Sequence, residues 1–185
     1  METVLVLGIF SITTTYALSI FVQSNAVQKR TANIQRTTSD ARYVLEVMAR
    51  EFRMGSLDYT FVGYELPLTG VQPILALRDE NNQPVRFRRA EVAAGRWAAQ
   101  ICGNNETCAA AADWLDITPP ELSVERLSFY LSPGESPFVW QLPDYTSNQQ
   151  PLLTIILETK SLLNDPTAPH LSHFQTTVSS RVYQR

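Results

Sequence analysis

The chain has 185 residues, a formal net charge of −3 and only two cysteines, Cys102 and Cys108. A mildly acidic chain of this kind argues against a dedicated nucleic-acid binder. With 44 % hydrophobic and 18 % charged residues, the composition is that of a chain that folds, and its length beyond the first segment supports one modest domain.

The chain opens on an apolar segment. Thr3 to Gln28 carries no charged residue, and the run from Val4-Leu5-Val6-Leu7-Gly8-Ile9-Phe10 to Ile20-Phe21-Val22 is close to the roughly 20 residues a helix needs to cross a hydrocarbon layer. Its Thr, Ser and β-branched residues weaken a helix in water, but lipid forces the backbone to bond within the segment, so a transmembrane helix over 1–28 is expected. Two other readings stay open. One is a secretory signal cut near Gln23-Ser24-Asn25-Ala26, although such signals begin with positive charge and this one begins with Glu2. The other is an ordinary anchor, with Lys29, Arg30 and Arg36 biasing that side toward the cytoplasm. Glu2 at the edge of an apolar span is costly at the bilayer centre, so it calls for a partner or for headgroup water.

A helical stalk is expected over 29–55. Ala41, Val44, Leu45, Met48 and Phe52 recur at helical spacing as one apolar stripe that packs the protein's own head. Arg42, Glu46 and Arg50 stand at i, i+4 spacing on another side. Ala26, Val27 and Ile34 are left to face neighbouring subunits. Thr37-Thr38-Ser39-Asp40 is expected to loosen or restart the helix, and Gly55 to cap it.

The N-terminal sequence Met1-Glu2-Thr3-Val4-Leu5-Val6-Leu7-Gly8-Ile9-Phe10-Ser11-Ile12 resembles the start of type IV pilins and type II secretion pseudopilins. Asp40 to Met54 is similar to the stalk end of minor pilins and J-type pseudopilins, and Thr176 to Arg181 to the last strand of that group. The resemblance is specific over roughly the first 55 residues. It implies a subunit whose helix bundles with its neighbours, with Glu2 as the assembly residue meeting a neighbour's terminal amine. Val4, Leu5, Leu7, Ile9, Phe10 and Ile12 would form the transmembrane core. The basic leader, its Gly and the Phe that precede this glutamate in the family are expected upstream of Met1.

Beyond Gly55, short β-like runs alternate with Pro, Gly and Asn, so 56–185 reads as a β-rich head outside the cytoplasm. Strands are expected at Tyr59–Glu65, Ile74–Arg78, Val85–Arg89, Arg96–Ile101, Asp113–Ile117, Val124–Leu131, Phe138–Leu142, Leu152–Lys160 and Phe174–Tyr183. Asp79 to Pro84 is expected as a hairpin turn and Pro133 to Pro137 as a second turn. Short connections make an antiparallel sheet the economical topology, and the fold class is α+β: a long N-terminal helix packed on that sheet.

Little in the head carries chemistry. Cys102-Gly103-Asn104-Asn105-Glu106-Thr107-Cys108 admits a small structural disulfide if exported, or two free thiols if not. Asn105-Glu106-Thr107 matches a glycosylation acceptor, a pattern common by chance. His170 and His173 are expected as surface loop residues, since Pro166 and Pro169 oppose the helix that would make them a metal pair. Arg86, Arg88 and Arg89 form a basic cluster that is expected to be a solvated sheet face more than a phosphate site. No nucleophile arrangement, paired-carboxylate site or phosphate loop is present, so no enzyme, cofactor or metal is expected.

The leading expectation is a structural subunit, a minor pilin or pseudopilin. It would be stored as a single-pass protein of the inner (cytoplasmic) membrane and then built into a filament. Its expected partners are other pilins or pseudopilins, the assembly ATPase and platform, the prepilin peptidase, and nucleic acid only in a DNA-uptake role. The alternatives are a membrane-anchored binding module outside any filament, and an exported enzyme with a cleaved signal.

Overall fold

A computed structural model of the chain describes residues 2–103, 108–137, 139–141, 144–145, 149–162 and 171–181. It has an α+β fold in which a long N-terminal helix packs on antiparallel sheets. Helix α1 runs unbroken over Glu2–Met54. The expected loosening at Thr37–Asp40 does not occur. Thr37 is buried at 3 % exposure, and packing outweighs the weak local preference of these side chains against helix. Chain contacts define two compact units, Met1–Arg36 and Thr37–Arg185.

In the second unit the expected stripe is the core-facing side of the helix. Ala41, Val44, Met48 and Phe52 are fully buried and Leu45 nearly so, and Ala49 joins them. Each large side chain buried in this way contributes about 1.5–3 kcal/mol. The expected i, i+4 charge ladder takes another form: Arg53 reaches back to Glu46 at 3.1 Å, and Arg50 pairs with its neighbour Glu51 at 3.3 Å.

Gly55 ends the helix, its N–H donating to the Glu51 carbonyl at 2.8 Å. Its smallness has a second cause. A Cβ there would lie 2.7 Å from the Arg78 carbonyl oxygen and 2.9 Å from that of Glu51. Close approach of a strand therefore requires glycine at this position.

The head holds two main sheets. The first has the order β1 (Ser56–Leu57), β3 (Ile74–Arg78), β4 (Pro84–Ala93), β5 (Arg96–Cys102), β6 (Leu115–Asp116). The second runs β11 (Leu171–Ser179), β10 (Leu152–Ser161), β7 (Leu122–Ser132), β2 (Val71–Gln72). A small ribbon pairs β8 (Trp140–Gln141) with β9 (Asp144–Tyr145). The chain passes from the second sheet to the first at Pro73, between β2 and β3.

The β3–β4 hairpin turns as expected. Asp79 Oδ1 accepts the Asn81 and Gln83 backbone N–H groups at 2.9 and 2.7 Å, and Asn82 takes a positive φ of 61°. Asn tolerates that conformation better than most residues. Strand β10 alternates as read: Leu153, Ile155 and Leu157 are fully buried. They lie opposite Leu131, Phe129 and Leu127 of β7, which completes the core against the helix.

Several expectations need correction. Tyr59–Glu65 is not a strand but a series of turns. Asp58 Oδ1 accepts both the backbone N–H and the hydroxyl of Thr60, at 3.1 and 2.6 Å, and this Asx turn competes with the extended state. Asp113–Ile117 shortens to β6, preceded by a 3₁₀ turn over Ala111–Asp113. The closing strand begins at Leu171 and ends at Ser179. Phe138, Leu142, His170, Tyr183 and the Asn105-Glu106-Thr107 motif lie outside the described residues.

Candidate functional site

Three places carry features beyond packing: the apolar half of α1, the arginine-bearing face of the first sheet, and a turn-rich loop with an apolar tip.

The apolar half of α1 is the largest of these. Val4, Leu5, Leu7, Ile9, Phe10 and Ile12 are 55–73 % exposed, and Tyr16, Leu18, Ile20, Phe21 and Val22 are comparably open. A contiguous apolar surface of this length is far outside what a soluble monomer leaves in water. Among the described residues this is the one helix long and apolar enough to cross a membrane.

The internal hydroxyls of that segment are satisfied locally. Thr13 and Thr14 donate to the Phe10 carbonyl at 2.9 and 2.8 Å, and Thr15 to that of Ser11 at 2.8 Å, which removes their cost in lipid. Glu2 sits in the first turn, where the helix dipole favours a negative charge. Gly8, Ser11, Thr15 and Ser19 recur at spacings of three and four and so share a face. A Cβ added at Gly8 meets nothing within 4 Å. Among the described residues nothing requires glycine there, and small residues on such a face let a second helix come close. This spacing is visible in the sequence. Val27 is 63 % exposed and Ala26 is also exposed, whereas Ile34 is half-buried.

The arginine cluster is not a solvated face. Arg86 lies over the Phe61 ring at 4.8 Å, Arg88 over Trp114 at 3.8 Å and Arg89 over Trp97 at 3.8 Å. Arg88 Nε also donates to Gln100 Oε1 at 3.1 Å, and Gln100 Nε2 donates to Asp116 Oδ1 at 2.9 Å. On the opposite face, Arg89 Nε donates to the Val124 carbonyl at 2.7 Å, linking β4 to β7 of the other sheet. Burial lowers the pKa of both Arg88 and Arg89 from the usual guanidinium range. These cations hold the head together and are poorly placed for phosphates.

The two cysteines form the disulfide Cys102–Cys108, with Cα atoms 5.8 Å apart. Together with Trp114 they make a small separate core. Trp114 is thus held between the disulfide and Arg88, a link that no sequence spacing announced.

The turn-rich loop after β1 is anchored from beneath. The Tyr64 hydroxyl donates to the Ala76 carbonyl at 3.0 Å and accepts the Ala76 N–H at 2.9 Å. Gln72, fully buried, takes the Glu65 N–H on Oε1 at 2.8 Å and donates from Nε2 to the Glu65 and Leu68 carbonyls at 2.7 and 3.3 Å. Burial pushes the Tyr59 hydroxyl up to about 12 and raises that of Tyr64 as well, where the nearby Asp58 and Tyr59 add to the rise while the Ala76 hydrogen bond opposes it. Above these anchors Val62 and Leu66 stand 97 % and 89 % exposed.

No catalytic arrangement emerges among the described residues, nor does any group of three or more His, Cys, Asp or Glu side chains suited to a metal ion. His173 lies in strand β11, not in a loop. Its Nδ1 is 3.5 Å from Glu158 Oε1, and Arg126 is 3.6 Å from the same oxygen. An open cleft of about 370 Å³ is lined by Arg50, Glu51, Met54, Gly55, Asp79 and Glu80, with no nucleophile and base in reach of one another.

No protein-family model, curated protein or solved structure matches the chain.

Proposed function

We propose that this chain is a structural subunit of a type IV pilus-like or type II secretion-like filament, a minor pilin or pseudopilin in kind. The observation that carries the reading is the pairing of a folded head with a helix whose apolar half, Val4 to Val22, is exposed along its length. Such a surface needs lipid or other helices around it. Storage in the inner membrane with the head outside the cytoplasm satisfies it first. Bundling with copies of similar helices satisfies it again when the filament forms. The open face of Gly8, Ser11, Thr15 and Ser19 suits close helix contact.

Glu2 sets register in this reading. A carboxylate in an apolar bundle gains most by meeting a neighbour's terminal amine, because an unpaired charge there is costly. The head then presents surfaces to other subunits or cargo. The partners that follow are related pilins or pseudopilins, the membrane assembly platform and a prepilin peptidase.

The test compares wild type with Glu2→Leu and Glu2→Gln, measuring the share of chain in sheared filaments against the share left in membranes. The expected result is at least a tenfold loss of incorporation for Glu2→Leu at unchanged membrane level. Equal incorporation of all three would overturn the role of Glu2 and favour a membrane-anchored binding module.

A further inference from the structure

We propose that the loop tip bearing Val62, Glu65 and Leu66 is a docking knob for a different protein, one that offers an apolar pocket with a lysine or arginine at its rim. The inference goes beyond the filament reading, since it rests on the head alone.

Val62 and Leu66 are 97 % and 89 % exposed, more than any other large hydrophobic residue described. A single bare apolar side chain is ordinary on a protein surface. Here two stand in one loop, with Gly63 and Pro67 exposed beside them, and the loop is built to hold them outward. Gln72 is fully buried, and both ends of its amide are used on the backbone of Glu65: Oε1 accepts the N–H at 2.8 Å and Nε2 donates to the carbonyl at 2.7 Å. The Tyr64 hydroxyl is tied twice to Ala76. Phe61 meets Tyr64 edge-on, with ring centroids 5.2 Å apart. The Gly70 N–H closes the far side on the Pro67 carbonyl at 2.8 Å. A buried amide is costly unless bonded, and these bonds fix a tip whose two apolar side chains add nothing to the core. A tip fixed in this way loses little freedom when it docks.

Charge selects the occupant. From Met54 to Leu77 the chain carries no Lys or Arg, and its charged residues are Asp58 and Glu65. Asp58 is engaged by Arg78 at 3.0 Å and by Thr60. Arg86, which reaches this loop from β4, lies over the Phe61 ring at 4.8 Å. Glu65 is exposed, and its carboxylate enters no ion pair among the described residues. The tip is thus apolar and acidic. Elements that dip into a bilayer surface combine apolar residues with Lys or Arg, which anionic headgroups attract; Glu65 is repelled there. The open cleft of a second copy is equally unsuited, since Glu51, Asp79 and Glu80 line it against Arg50 alone. An apolar pocket with a cation at its edge answers both features: the pocket takes the anchors and the cation pairs with Glu65.

The test places the photo-reactive residue p-benzoylphenylalanine at position 62, or at 66, of the full-length chain in the cells that make it. Both native side chains are exposed, so the fold should be unaffected, which tryptophan emission of the purified chain checks. After irradiation the adducts are purified and the attached segment is sequenced by mass spectrometry. Both positions should trap the same protein, other than this chain, on a segment that combines apolar residues with Lys or Arg. The same probe at Asn81, exposed on the β3–β4 turn, should give several-fold less of that adduct. Glu65→Lys should lower the yield at position 62 several-fold, and Glu65→Asp should leave most of it. Adducts confined to lipid or to a second copy, no adduct at either position, a trapped segment without Lys or Arg, or a yield indifferent to Glu65→Lys would overturn the proposal.

Discussion

Gly55 and Tyr64 are the residues on which the junction between helix and head turns. At Gly55→Ala the new Cβ meets two backbone carbonyl oxygens that have little room to move. Overpacking of this kind costs about 1–3 kcal/mol, and urea denaturation of the full chain should show that loss in the head's transition. Tyr64→Phe removes both bonds to Ala76, leaving a buried N–H unpaired; a similar loss of about 1–3 kcal/mol is expected. Tyr59 and Tyr64 also set an alkaline limit. Burial raises the folded-state pKa of Tyr59 from 10.0 to about 12 and that of Tyr64 in the same direction. A raised phenol pKa stabilises the fold fully below the unfolded value and ceases to do so as pH climbs through the folded value. Stability followed by tryptophan fluorescence should therefore hold to about pH 10 and fall between pH 10 and 12; a flat response across that window would contradict the burial of these hydroxyls. None of these roles was legible beforehand. Glycine after a helix reads as a cap, and the strand backbone that crowds it comes from a distant part of the chain.

At the scale of elements, periodicity carried most of the information. The stripe Ala41 to Phe52 and the alternation of Leu152 to Lys160 both bury the faces that their spacing assigned, because a helix and a strand each fix which residues share a side. The reading broke down where side chains replaced backbone pairing. Tyr59–Glu65 has strand-like composition, but Asp58, Tyr64 and Gln72 supply the hydrogen bonds that a neighbouring strand would have given. The arginine cluster failed similarly: alternation placed Arg86 and Arg88 on one face, but nothing local revealed that Phe61 and Trp114 would cover them. The disulfide stiffens this region. Removing it with Cys102→Ser and Cys108→Ser should cost about 2 kcal/mol by the chain-entropy model for so short a loop. It should also change Trp114 emission as the indole leaves Arg88. Unaltered stability and emission would mean that the 3₁₀ turn holds Trp114 without the bridge.

For the whole molecule, the α+β class was readable, since it follows from composition and period along the chain. The two-sheet arrangement was not. It depends on β2 pairing with β7 while the adjacent β3 pairs with β1 and β4, a choice made by long-range packing. The functional reading turns on the chain keeping its apolar helix and burying it among other helices. Peptide mass spectrometry on the native protein, comparing the sheared fibre fraction with the soluble exported fraction, tests this most directly. The account predicts that fibres contain the tryptic peptide ending at Lys29 with the Glu2–Gln28 sequence intact. Recovery of the chain only as a soluble species beginning near Ala26 or Val27, with none in fibres, would contradict it.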